Sequence, residues 1–275
     1  MPPELDVIAH PSAEPEPAGG VQWQALLDGD TEALAQWSHD PLVSLYGPLC
    51  AGPRDRPLVV GHLAQSLDGR IATTSGMSRW LSGGEDLLHT HRMRAISDAV
   101  LVGVNTVLHD DPQLTVRRCL GRHPVRVVID PERRLDGTQR VFVDGIAPTL
   151  LLVAAGCGHE GERLGHAQVV PIERGACGLD PREICRVLAR RGLHRLLVEG
   201  GGITVSRFLD AGALHRLQVT VAPVILGSGR PAITLPEISD LEQSLRPRTR
   251  RVVLGDDVMI ECDFAAVDAV QAGDG

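Results

Sequence analysis

From residue 57 onward, short apolar runs rich in β-branched residues alternate with segments of helical periodicity. The runs cover residues 58–64, 99–104, 125–129, 149–155, 168–172, 195–198, 217–222, 251–254 and 258–262. They are short and almost continuously apolar, which suits strands buried on both faces. Helical spacing fits residues 85–95, 181–190 and 204–209. Strands alternating with helices predict an α/β fold, a mostly parallel sheet flanked by helices. Gly255, Asp256 and Asp257 separate the last two runs and predict an antiparallel C-terminal hairpin.

The first 56 residues follow another pattern. Residues 1–20 are rich in Pro, Glu, Ala and Gly and read as a disordered or loosely attached tail. Residues 21–38 read as helical, with Asp30 and Thr31 as a cap between two apolar groups. Trp23 and Trp37 lie here and predict packing against the main body. Gly47, Pro48, Gly52, Pro53 and Pro57 read as a linker. The expected organisation is a tail (1–20), a helical extension and linker (21–56), one domain (57–264) and a second tail (265–275).

Composition removes whole classes of chemistry. All 27 basic residues are Arg and none is Lys. Schiff-base, pyridoxal-phosphate, Walker-lysine and kinase-lysine mechanisms are therefore excluded. A net charge of −8 argues against a nucleic-acid or anionic-membrane surface. An anionic substrate then needs a local Arg cluster. None of the six Cys forms a C-x-x-C pair, and scattered thiols point to a reducing, cytoplasmic setting. No apolar run approaches the ~20 residues of a membrane span.

The densest motif runs from Leu196 to Ser206: a buried strand, Glu199 at its end, Gly200, Gly201 and Gly202, then a helix start. Such a turn brings backbone N–H groups and a helix N-terminus to a phosphate. The alternative is a tight strand-to-helix turn with an exposed Glu. A literal G-x-G-x-x-G at residues 156–161 lacks room for a βαβ unit before the next run and reads as a loop. Ser66-Leu67-Asp68-Gly69-Arg70 reads as an Asp-Gly turn. Asp110 and Asp111 before Pro112 read as a turn, with Mg²⁺ binding as the minority reading. His89 and His91, two apart on a helix, make a poor metal pair. No metal site is expected.

Together these segments, with Ser78-Arg79-Trp80 and residues 106–117, stand in one order at compatible spacing. The set resembles the reductase domain of the bacterial riboflavin-biosynthesis bifunctional deaminase–reductase, across roughly residues 57–264. The resemblance implies a dihydrofolate-reductase-like fold, an NADPH cofactor, a homodimer, and reduction of a ribosylamino group to a ribitylamino group on an aminopyrimidine 5′-phosphate. The usual deaminase domain is missing from the first 56 residues. The resemblance puts Ala64, Trp80, Thr106, Asp110, Gly201, Gly202, Ile203, Thr204, Val205, Ser206 and Arg207 at the cofactor. It puts Ser78, Arg94, Leu114, Arg117 and Glu199 at the substrate, with Glu199 reaching the sugar. The family's first strand usually carries a lysine where this chain has His62. Glu199, Asp68 and His62 are the candidates for proton transfer, and the sequence does not choose among them. Two alternatives stay open: a same-fold reductase acting on a pteridine, folate or specialised metabolite, and a nucleotide-binding protein without turnover.

Overall fold

The computed structural model describes residues 7–9, 20–51, 55–78, 81–175 and 178–264. Of the tail expected at 1–20, residues 7–9 instead form a strand that pairs in parallel with residues 251–253 and Gly20 stands at the start of a helix, while 1–6 and 10–19 lie outside the described residues, as do the tail at 265–275 and Gly52, Pro53 and Trp80. The N-terminal part comprises β1 (Val7–Ala9), α1 (Val21–Asp28), α2 (Thr31–Gln36) and α3 (Pro41–Cys50). Next come β2 (Leu58–Ser66), β3 (Arg70–Thr73), α4 (Gly84–Ile96), β4 (Ala99–Gly103), α5 (Val104–Asp110), β5 (Val125–Ile129), α6 (Arg140–Val143) and β6 (Thr149–Ala154). β7 (Arg163–Leu164), β8 (Ala167–Ile172), β9 (Arg174–Gly175), β10 (Gly178–Leu179), α7 (Pro181–Ala189), β11 (Arg195–Glu199) and α8 (Gly202–Asp210) follow. The chain closes with β12 (Arg216–Ala222), β13 (Gly229–Pro231), β14 (Arg248–Leu254) and β15 (Asp257–Asp263).

One large sheet has the order β1-β14-β15-β12-β2-β11-β4-β5-β6-β8-β7. From β12 to β8 every neighbouring pair is parallel, and β14 and β15 form the expected antiparallel hairpin against β12. Successive residues of the central strands feed opposite cores, as the period of two requires. Val100 and Val102 of β4 pack with Met93, Leu197 and the N-terminal helices. Ala99 and Leu101 pack with Ile184, Val205 and Phe208 of α7 and α8.

The N-terminal helices are part of the first core. Trp23, Leu26, Leu45, Tyr46 and Leu49 are buried against Met93, Val252 and Met259. Asp30 caps α2 by accepting from the Ala33 amide, as its sequence predicts. Gly47 and Pro48, expected in a linker, lie inside α3. Burial of Leu45, Tyr46 and Leu49 outweighs the cost of these two helix breakers. Polar ties hold the same elements. Trp23 Nε1 donates to the Leu120 carbonyl at 2.9 Å, and Arg250 donates to the Ser44 and Leu45 carbonyls at 2.8 and 2.9 Å.

This packing explains α4, whose buried side chains include His89, His91, Arg92 and Arg94. Gln218 donates its amide to Glu261 at 2.8 Å, so its carbonyl faces His89 Nε2 at 3.0 Å. His89 therefore donates from Nε2 and accepts the Tyr46 hydroxyl at Nδ1, 2.7 Å away. Tyr46→Phe should strand that buried nitrogen and cost about 1–3 kcal/mol. Chemical denaturation measures this; an unchanged midpoint would mean that the bond adds nothing to stability.

Candidate functional site

A cavity of about 750 Å³ opens along the carboxyl ends of β2, β11, β4 and β5. Open α/β sheets bind ligands there, because strand ends and helix starts present free backbone groups. The wall includes Ile129, Leu179, Ile184 and Phe208 on one side and His62, Asp86 and Thr90 on another. The structure brings His62, Ala64, Ser78, Thr106, Asp110, Glu199, Gly201, Gly202, Ile203, Thr204 and Arg207 of the expected site residues to this one cavity.

The glycine turn has a structural reason at two positions. Gly200 has φ +92°, in the left-handed region that glycine enters without a Cβ penalty. A Cβ on Gly202 would lie 2.6 Å from the Pro231 carbonyl oxygen and meet the Ala232 carbonyl as well. The Gly201 amide donates to Thr106 Oγ1 at 3.2 Å, which joins the turn to α5. No side chain caps the N-terminus of α8. Its first amides suit an anion, so this cradle fits a dinucleotide diphosphate. Val205 is buried in the core, and Ser206 Oγ accepts from the Thr234 amide at 2.9 Å. Those two residues anchor the helix and the 231–234 segment.

Glu199 ends β11 and is buried with Arg94 of α4. Arg94 Nε donates to Glu199 Oε1 at 2.9 Å, and its terminal nitrogen pairs with Oε2. Arg94 also donates to the Thr115 carbonyl at 3.1 Å. This guanidinium stands behind the acid and orients it. Arg117 reaches the same corner and donates to Thr115 Oγ1 at 2.6 Å. Burial, then Arg94, Arg118 and Arg140, lower the Arg117 pKa. Among the described residues Arg117 has no carboxylate partner. The local excess of positive charge suits a phosphate. His91, lowered to about 3 by burial and then by Arg94 and Arg117, stays neutral and accepts the Arg117 amide at 3.0 Å. Leu114 has a buried side chain and φ 55°, so only its backbone is available to a ligand.

Asp68 does not line the cavity. It accepts from the Ser66 hydroxyl at 2.6 Å and from the Leu226 and Gly227 amides at 3.0 and 2.6 Å. The Ser66 bond first, then the Leu226 amide, lowers it from 3.8 to about 2. A depressed folded pKa adds stability above the ordinary carboxylate range, lost as pH falls through about 2. The Leu226 and Gly227 amide shifts should therefore titrate together with a midpoint near pH 2. A midpoint near 4 would mean that the carboxylate does not hold this turn.

Sequence reasoning missed Asp86 and Thr90. They stand four apart on α4, so they share a helix face, and that spacing was the available signal. Asp86 accepts from Thr220 Oγ1 and Ser82 Oγ, each at 2.6 Å. Among the described residues no cluster of three or more His, Cys, Asp or Glu is placed to hold a metal, and no helix is long and apolar enough to cross a membrane.

The parallel sheet, its antiparallel hairpin and the glycine turn beside a strand-end acid define an α/β protein of the dihydrofolate-reductase-like class. The chain belongs to the RibD C-terminal domain family, which matches residues 57–256. It is 38% identical over 215 residues to the 2,5-diamino-6-ribosylamino-4(3H)-pyrimidinone 5′-phosphate reductase of Methanothermobacter thermautotrophicus, covering 75% of this chain and 97% of that relative. It is 36% identical over 211 residues to the riboflavin biosynthesis protein RibD of Aquifex aeolicus, covering 75% of this chain and 58% of that protein. The chain thus spans little more than half of the latter's length. The solved deaminase/5-amino-6-(5-phosphoribosylamino)uracil reductase of Thermotoga maritima superimposes with a TM-score of 0.63 at 32% identity, covering 76% of this chain and 57% of that one.

Proposed function

We propose that this chain is an NADPH-dependent reductase of riboflavin biosynthesis that converts the ribosylamino group of a phosphorylated aminopyrimidine to a ribitylamino group. The observation that carries this reading is one cavity lined by both the α8 glycine cradle and Glu199, with Arg117 beyond the acid. Gly201, Gly202, Ile203, Thr204 and Arg207 hold the cofactor diphosphate. Ala64, Thr106 and Asp110, which line the same cavity, stand beside the cofactor. NADPH supplies the hydride when bound. Ser78, Arg117 and the backbone at Leu114 hold the substrate phosphate, while Glu199 accepts from sugar hydroxyls. Holding the reacting carbons about 3–3.5 Å apart and excluding water is the protein's part in the rate. The cytoplasmic setting and the homodimer belong to the same proposal.

The test is NADPH and NADH binding by fluorescence, then NADPH oxidation with the uracil and the diaminopyrimidinone substrates. Turnover of either excludes a purely binding role, and their ratio names the substrate. No binding of either cofactor would overturn the reading. Arg117→Ala should raise KM for the phosphorylated substrate at least tenfold, ~1.4 kcal/mol. An unchanged KM would remove Arg117 from the phosphate site.

A further inference from the structure

NADPH and NADH differ only by a phosphate on the 2′ oxygen of the adenosine ribose, so a protein that separates them needs a cation at that oxygen. Beside the α8 cradle the cavity has an apolar wall of Ile129 and Pro131 at the end of β5, Leu179 of β10, Ile184 of α7 and Phe208 of α8. Such a wall suits an adenine ring. With the diphosphate at the start of α8 and the adenine on this wall, the ribose lies between them. The loop after β5 reaches the same cavity with Glu132 and Arg134. Asp130 fixes its course: the carbonyl accepts from the Arg133 amide at 3.0 Å and the carboxylate from the Leu135 amide at 2.9 Å. Glu132 accepts from Arg174 at 2.9 Å and Arg133 pairs with Glu162, so both of those charges are balanced. Arg134 differs. It is exposed, and among the described residues its side chain has a neutral partner only, donating from Nη1 to Asn105 Oδ1 at 2.9 Å. Asn105 precedes Thr106, whose hydroxyl accepts the Gly201 amide, so Arg134 stands at the cradle end of the apolar wall. With its oxygen given to Arg134, the Asn105 side chain keeps its amide N–H groups to donate, and it too lines the cavity.

We infer that Arg134, with the side-chain amide of Asn105, binds the 2′-phosphate of the cofactor and makes this chain selective for NADPH over NADH. The inference rests on the proposed function, which puts a nicotinamide dinucleotide in this cavity. A guanidinium meets a phosphate through paired, charge-assisted N–H···O bonds. One Arg134 nitrogen is held by Asn105, which orients the group and leaves its other N–H groups for the ligand. NADH offers a neutral hydroxyl at the same place and gains little from the cation. Glu132 is the group that would favour NADH, because a carboxylate accepts from a free 2′-hydroxyl and repels a phosphate. Arg174 balances that carboxylate, so the rim keeps the positive charge of Arg134.

The experiment is calorimetric titration of the full chain with NADPH, NADH, adenosine 2′,5′-bisphosphate and adenosine 5′-monophosphate, for wild type, Arg134→Ala and Arg134→Gln. Wild type should bind NADPH about tenfold or more tighter than NADH, and the bisphosphate about tenfold or more tighter than the monophosphate. Both variants should bring each pair to within about threefold, by weakening the phosphorylated member while NADH binding stays within about twofold of wild type. Arg134 is exposed and its change leaves the core intact, so melting temperatures should not move. The glutamine variant keeps a donor for Asn105 and tests the charge alone. Equal weakening of both dinucleotides, or a preference retained in both variants, would overturn the inference and leave the proposed function standing. So would a wild type with no preference for the 2′-phosphate, a result that decides even where a variant fails to fold. A wild type that binds neither dinucleotide overturns the proposed function, and this inference with it.

Discussion

Arg94→Ala is expected to destabilise the fold by about 3–5 kcal/mol and to abolish measurable turnover. The side chains of Arg94 and Glu199 are 9% and 11% exposed, so removing the guanidinium leaves a carboxylate buried without its counter-charge. The cost is that of the stranded charge and does not measure what the pair contributes. A double variant, Arg94→Met with Glu199→Leu, removes both charges and should recover most of the lost stability while staying inactive. Thermal and urea unfolding of the three proteins separate the two effects. A single variant within 1 kcal/mol of wild type would mean that Glu199 is already neutral or hydrated, and would remove Arg94 as the group that orients it.

Gly202→Ala is the second large expectation. The added Cβ meets the carbonyls of Pro231 and Ala232, which are backbone atoms and cannot swing aside. The 231–234 segment is tied to Ser206 through the Thr234 amide, so relief requires α8 or the segment to move. NADPH affinity should fall at least tenfold, ~1.4 kcal/mol. Gly161→Ala is the control. Gly161 belongs to the literal G-x-G-x-x-G and its Cβ would meet nothing within 4 Å. Its φ of +84° carries local strain, but NADPH binding should stay unchanged. Equal losses in the two variants would break the link between the 200–202 turn and the cofactor.

The contrast between these glycine motifs shows what a sequence can and cannot display. Three glycines after a buried strand and before a helix are legible, because strand, turn and helix are local in the chain. The 156–161 stretch matches a motif letter by letter but lacks the βαβ unit, and it is a loop. The central strands were legible to within two residues, since burial on both faces writes a continuous apolar run. β14 begins at Arg248, three residues earlier than the run beginning at 251. Its first residues are more exposed and polar, so they leave no apolar signature.

α4 defeats pattern reading for the opposite reason. Its His, Arg and Thr side chains look like a solvated face, yet they are buried between the sheet and α1–α3. Their partners lie far along the chain: Tyr46 for His89, Glu199 for Arg94, Thr220 for Asp86. Asp68 is the converse case. The sequence offers it as a site acid, and the structure turns it toward the amides of Leu226 and Gly227.

By itself, the sequence determined the α/β class, the central strands of the sheet and the glycine turn at the end of β11; the edge strands β1 and β7 left no apolar run to read. The legible features depend on periodicity and on backbone freedom, which are properties of neighbouring residues. Only the tertiary structure decided which polar groups are paired with one another and which face the cavity. A hydrogen bond is short and directional, and the residues that make it here lie far apart in the chain: Asp86 and Thr220 are separated by 134 positions. No local pattern encodes that meeting; the folding of β12, β2 and β11 beneath α4 brings it about.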